Sequence, residues 1–276
     1  MSSTVVNGVF VAYDDVGKGE DALLLVHGHP FNRSMWHPQV DRLSSAGWRV
    51  LVPDLRGYGQ SQVIGGTTPL TTFANDIAAL LDNLGIDRVA MGGLSMGGQI
   101  VMEFARLFPA RLRAIVLAAT LPQAESQDGK RRRREMAERL LREGMAGYAD
   151  EVLPRMVAAR NLVALPDVAT HVLAMMQATP PEGAAAALLG RAERPGYELT
   201  LKSLNVPALI VVGDEDAFTT RTDAECMHEL LTGSELLWMK GVGHMPNLER
   251  PEKFNRALVN FLNGVRLSWS NLAARP

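Results

Sequence analysis

Five short stretches of the chain, "ALLLVHG" (22–28), "RVLVPD" (49–54), "RVAMGG" (88–93), "AIVLAA" (114–119) and "ALIVVGDED" (208–216), are almost continuously apolar and end in Gly, Asp or small residues. A strand with one wet face alternates apolar and polar side chains. A run without alternation belongs to a strand covered on both faces, as in a parallel sheet flanked by helices. Between the runs the period changes: Phe73, Ile77, Leu80, Leu81 and Leu84 recur at helical spacing and stop at Gly85. "QIVMEFARLFP" behaves in the same way before Pro109. This alternation predicts an α/β fold with a mostly parallel, doubly wound sheet.

The pattern breaks from about Leu121 to Lys202, where no convincing strand occurs and Ala, Met, Leu, Arg and Glu dominate. That stretch is expected to be a helical cap inserted between sheet strands. Residues 1–120 and 203–265 then form the core, 121–202 the cap, and 266–276 a tail without clear period. The opening "MSSTVVNGVFVAYDDVG" lacks a basic start and meets Asn7 and Gly8 early, which reads as a strand or hairpin. No run approaches the ~18 apolar residues of a membrane helix. A formal net charge of −2 leaves no global footprint for nucleic acid or an anionic membrane, so neither is expected as a partner. The single cysteine, Cys226, excludes an internal disulfide and fits a reducing compartment, so a cytoplasmic protein is expected. Within "TDAECMHEL" it reads as a small buried helix residue.

At the end of the third run, "GGLSMGGQI" sets Ser95 among glycines where a strand gives way to a helix. A sharp turn there presents the hydroxyl above the sheet edge with helix N-terminal N–H groups close by. A serine hydroxyl is a weak nucleophile near neutral pH and needs a base, itself held by an acid. "VVGDEDAF" supplies Asp214, Glu215 and Asp216 at a strand end, and "MKGVGHMPNLERPEKF" supplies His244 in a loop. All fall at carboxyl ends of strands, where open α/β sheets hold their sites.

With "HGHP", "DLRGYGQS", "GLSMGG", "GDED" and "GVGHMPNLERPEKF" in this order, the chain resembles the α/β-hydrolases over nearly its whole length. The resemblance implies a catalytic Ser95, Asp216 and His244, Asp216 being the acid three residues beyond the strand-ending glycine. It also implies that the backbone N–H groups of His29 and Met96 bind the oxyanion. Haloalkane dehalogenases and epoxide hydrolases carry a carboxylate where this chain has Ser95, which excludes both. Within the fold, "HGHPFNRSMWHPQ" and "MMQATPPEG" are similar to 3-oxoadipate enol-lactonases. Substrates of that kind carry carboxylates, which makes Arg33, Arg155 and Arg160 candidate binding residues, with Trp36 beside the oxyanion turn. No cofactor and no metal are implied, and His27 is expected to brace the turn.

The expected partner is a small ester or lactone, hydrolysed through an acyl-enzyme on Ser95. Carbon–carbon bond hydrolysis and cofactor-free perhydrolysis use the same machinery, and a small-molecule receptor with little turnover is the alternative of another class. Met136, Leu140, Leu141, Met145, Leu153, Met156, Val157, Leu173, Met175 and Met176 are expected to pack helix on helix. "KRRRRE" reads as a solvated face, with Arg131–Glu135, Arg134–Glu138 and Arg139–Glu143 each spaced for an ion pair.

Overall fold

The computed structural model describes residues 2–273. A hairpin of β1 (Ser2–Val6) and β2 (Val9–Val16) turns at Asn7 and Gly8, and β3 (Ala22–Val26) follows. A single 3-10 turn at Arg33–Trp36 leads into α1 (His37–Ser45), followed by β4 (Arg49–Pro53), α2 (Leu70–Asn83), β5 (Val89–Leu94), α3 (Met96–Leu107) and β6 (Leu112–Ala118). Six helices then run without a strand: α4 (Gln127–Glu143), α5 (Ala146–Met156), α6 (Ala159–Ala164), α7 (Pro166–Gln177), α8 (Pro181–Ala192) and α9 (Glu198–Ser203). The chain closes with β7 (Ala208–Gly213), α10 (Arg221–Leu230), β8 (Glu235–Met239), α11 (Pro246–Glu249) and α12 (Pro251–Ala273).

The eight strands form one sheet in the order β1-β2-β4-β3-β5-β6-β7-β8. Only the pairings of β2, with β1 and with β4, are antiparallel. The continuous apolar runs have the predicted cause. Leu23 and Leu25 enter one cluster with α1 and α12, while Leu24 and Val26 enter the opposite one with α2, α3 and α10. Each fully buried Leu or Val contributes about 1.5–3 kcal/mol of transfer free energy. After β4 the chain crosses to the other side of β3 to lay down β5, so the order reverses there. The crevice at that reversal, above the carboxyl ends of β3 and β5, is where a sheet of this kind can hold a ligand.

The helices from α4 to α8 lie over this edge. Ala149, Val152, Met156, Val172, Met175 and Met176 join the cluster on the α1/α12 face of the sheet, so the expected helix packing is what most of these methionines do. Leu141 is instead exposed. Helix α8 seats directly on the loop after β4. A Cβ on Gly183 would stand 1.9 Å from the Gly57 carbonyl oxygen, one on Gly190 1.8 Å from that of Thr68, and the Thr68 N–H donates to the Ala186 carbonyl at 2.9 Å. Tyr197 and Leu201, at the start of α9, already pack beneath the sheet with α3 and α10.

Three local expectations need correction. Cys226 sits on α10 as expected but is half-buried, because α10 lies at the outer end of the sheet. The stretch expected as a tail continues α12 as helix through Ala273, with Val265 buried and Leu267 exposed; positions 274–276 lie outside the described residues. The basic run is not uniformly solvated. Arg131 and Glu135 approach to 3.7 Å and Arg139 and Glu143 to 3.0 Å, but Arg134 pairs with Glu193 rather than Glu138, and Arg133 turns inward to Glu125. Among the described residues no helix is long and apolar enough to cross a membrane.

Candidate active site

Ser95 joins β5 to α3 with φ 57° and ψ −116°, a left-handed conformation costing a non-glycine residue about 1–3 kcal/mol. The surrounding contacts hold it there. Its N–H donates to the Ala118 carbonyl at 2.9 Å and its carbonyl accepts from the Thr120 hydroxyl at 2.8 Å. A Cβ on Gly97 would lie 2.2 Å from the Val26 carbonyl oxygen, so only glycine lets α3 approach β3 this closely. Met96 begins α3, and its N–H is one of the first-turn donors that have no partner inside the helix.

His244 follows β8 in a loop tied down from both sides. Its own N–H donates to the Met156 carbonyl at 3.0 Å, and its ring Nδ1 lies 2.9 and 3.0 Å from the two oxygens of Asp216. Asp216 also accepts from the N–H groups of Phe218 (2.8 Å) and Thr219 (3.2 Å). Burial pushes the Asp216 carboxyl up, but His244 and these two N–H donors outweigh it and hold the group below the ordinary aspartate range. The neighbouring acids do other work. Asp214 accepts from the Gly241 N–H at 2.5 Å and shapes the turn, while Glu215 meets Arg160 at the surface, 3.5 Å away.

Sequence reasoning missed Glu249, whose fully buried carboxylate clamps the His244 loop. One oxygen accepts from the N–H groups of Gly243 (2.9 Å) and Met245 (3.3 Å), which flank the histidine. The other accepts from the Ala158 N–H (3.0 Å) and the Asn161 amide (2.6 Å), between α5 and α6. Burial exceeds the effect of these four donors and raises the Glu249 pKa.

Ser95, His244 and His29 line one cavity of about 480 Å³, within the usual range for small-molecule sites. His27 stands behind it, bonded through Nδ1 to the Gly28 carbonyl (2.8 Å) and accepting at Nε2 from the Leu55 N–H (3.0 Å), which braces the turn. The expected binding residues are placed elsewhere. Arg33 is held by Asp14 (3.0 Å), Asp54 and Gln60 (2.6 Å) on the outer side of the turn. Trp36 is core, tilted against Phe254 at 6.1 Å. Arg160 is exposed beside Glu215, and Arg155 stacks over Phe218 at 4.3 Å, one layer out from the cavity wall.

Three other arginines face the cavity: Arg133 from α4, Arg191 from α8 and Arg194 just after it. Glu125 binds both Arg133 and Arg194, the latter at 2.7 Å, and these cations overcome burial to lower its pKa to about 2. The other lining carboxylate, half-exposed Asp223, is occupied at the cap of α10 by the Thr220 N–H (2.9 Å) and hydroxyl (2.6 Å). Among the described residues the Arg191 guanidinium meets only the neutral Gln99 side chain, 3.1 Å away. Burial first, then the charges of Arg133 and Arg194, push the Arg191 pKa well down. A guanidinium holds its proton in proteins, so that position favours an incoming anion. A signal for Arg191 existed: it stands three residues after Leu188 and seven after Ala184, on the buried stripe of α8.

Residues 21–251 match the alpha/beta hydrolase fold family. The 3-oxoadipate enol-lactonase 1 of Acinetobacter baylyi is 30% identical over 235 residues, covering 85% of this chain and 86% of that protein. The 2-hydroxy-6-oxononadienedioate/2-hydroxy-6-oxononatrienedioate hydrolase of Burkholderia vietnamiensis is 29% identical, covering 91% and 90%. The malate-bound structure of a thermophilic esterase from Thermogutta terrifontis superposes with a TM-score of 0.91 at 38% identity, covering 95% and 97%.

Proposed function

The chain belongs to the alpha/beta hydrolase fold family, and from that premise we propose that it is a serine hydrolase of small esters or lactones that carry an anionic group. The observation that carries this reading is that His244, bonded to Asp216, shares one cavity with Ser95, strained at the head of α3. His244 Nε2 takes the Ser95 proton as the hydroxyl oxygen attacks the carbonyl carbon, while Asp216 accepts from Nδ1–H and stabilises the imidazolium. The N–H groups of Met96 and His29 meet the negative oxygen of the tetrahedral intermediate. His244 then protonates the leaving oxygen. It next activates water to cleave the acyl-enzyme and free Ser95.

Three arginines against Glu125 support an anionic substrate, with Arg191 the one without a carboxylate partner among the described residues. The named enol-lactonase and dienedioate hydrolase relatives agree with this choice. The single cysteine supports a reducing compartment such as the cytoplasm. Intact mass after brief exposure to a serine-reactive phosphonate tests the mechanism: one adduct on the native chain and none on Ser95→Ala is expected. Folded protein without an adduct would favour a receptor. A panel of anionic lactones, anionic esters and vinylogous diketo acids then separates lactone or ester cleavage from carbon–carbon cleavage, which the dienedioate hydrolase relative keeps in view.

A further inference from the structure

His29 is only 5% exposed and lines the cavity one residue beyond Gly28, which packs against Ser95. Its Nδ1 lies 2.8 Å from the hydroxyl of the fully buried Tyr58, and its Nε2 has no partner among the described residues. Two proton arrangements are open to this pair. With the proton on Nδ1, the ring donates to the phenol oxygen; the phenolic hydrogen and the Nε2 lone pair are then both buried without partners. With the proton on Nε2, the phenol donates to Nδ1 and one N–H is left over. Each arrangement leaves one donor and one acceptor over, but a phenol is a stronger hydrogen-bond donor than a neutral imidazole N–H and an imidazole nitrogen a stronger acceptor than a phenol oxygen, so the second arrangement, which pairs the stronger donor with the stronger acceptor, is preferred. Burial, then the charges of Arg191, Arg133 and His27, hold the His29 pKa well below its ordinary value, so the ring stays neutral. Burial likewise raises the Tyr58 pKa and keeps its hydroxyl protonated.

We propose that the Nε2–H of His29, locked in place by Tyr58, is a substrate-binding donor that selects molecules presenting an acceptor oxygen close to the reacting carbonyl. This rests on the ester-hydrolase reading above. An apolar side chain would fill the same wall without leaving an unpartnered donor, whereas a site built to bond an oxygen discriminates against an isostere that lacks it.

The test uses two isosteric ester pairs: 4-nitrophenyl methoxyacetate against 4-nitrophenyl butanoate for the acyl side, and 2-methoxyethyl acetate against butyl acetate for the alcohol side. The kcat/KM ratio within a pair, compared between variants, cancels intrinsic reactivity. His29→Phe is expected to lower the preference for the oxygen-bearing member of one pair about tenfold. His29→Gln, which places an amide N–H near Nε2, retains most of that preference. Tyr58→Phe, which releases the tautomer, lowers it by a smaller factor and carries the test if His29→Phe fails to fold. Unchanged ratios in both pairs for His29→Phe, or for Tyr58→Phe where His29→Phe does not fold, overturn the proposal. So does a ¹⁵N NMR assignment of the His29 proton to Nδ1. Loss of phosphonate labelling in the native chain overturns the hydrolase reading instead, and the NMR assignment does not depend on it.

Discussion

The turn at Ser95 and the helices above it are built by different rules. At the turn, a strand end, a positive φ and a glycine pressed on the Val26 carbonyl constrain the serine, and contacts to its main chain from Ala118 and Thr120 hold it. In the cover, Arg133 on α4 and the Arg191–Arg194 pair at the end of α8 come from two places in the chain and meet because α4 packs along α8. Main-chain constraint sets Ser95, while side-chain packing between helices sets the charge it faces. Chemistry and selectivity can therefore be perturbed one at a time.

The largest expected effect lies on the sheet side. Asp216→Asn keeps the shape but permits the wrong His244 tautomer, and kcat should fall about 10⁴-fold with KM nearly unchanged. A fall of less than about tenfold in steady-state kinetics would transfer the acid's role elsewhere and erase the division drawn here. On the cover side, Arg191→Met should lower kcat/KM about 100-fold for a carboxylate-bearing ester and leave a neutral ester of equal size within about threefold. Equal losses on both esters would make Arg191 a packing residue. Glu249→Gln probes the seam between the two regions. An amide cannot accept from four N–H donors, so kcat should drop about tenfold through misplacement of His244, with thermal unfolding lowered by several degrees. Smallest is an effect of acid on stability. The Glu125 pKa is about 2 in the folded chain against an ordinary 4.5, so its stabilisation is complete above about 4.5 and is lost as pH falls toward 2. Melting curves of Glu125→Gln should therefore converge on the native ones at the acid end; a constant gap across that window would remove the ion-pair explanation.

The strands were legible because burial on both faces leaves an unbroken apolar run, and the meeting of His244 with Asp216 beside the Ser95 cavity was legible because each of the three follows a strand with a characteristic short motif. The arginines were not. Arg33 sits four residues after His29 in sequence, yet Asp14 and Asp54, from β2 and just after β4, draw it outward. Arg133 is one of four consecutive arginines, and only the position of Glu125 singles it out. A spacing rule reports which face of a helix a residue occupies, and says nothing of the carboxylate waiting across a gap of many residues.

The backbone contact of α8 with the loop after β4 bears on how the cavity exchanges its contents. Gly183 on Gly57 and Gly190 on Thr68 leave no side-chain cushion that could compress or slide, so α8 acts as a fixed wall and carries Arg191 as a fixed charge. On the α5 side the cavity is walled by side chains, those of Tyr148 and Met156. Anyone reshaping the cavity for a bulkier molecule would find room by trimming Tyr148, Met156 or Leu188, since tilting α8 would first have to separate two stretches of main chain.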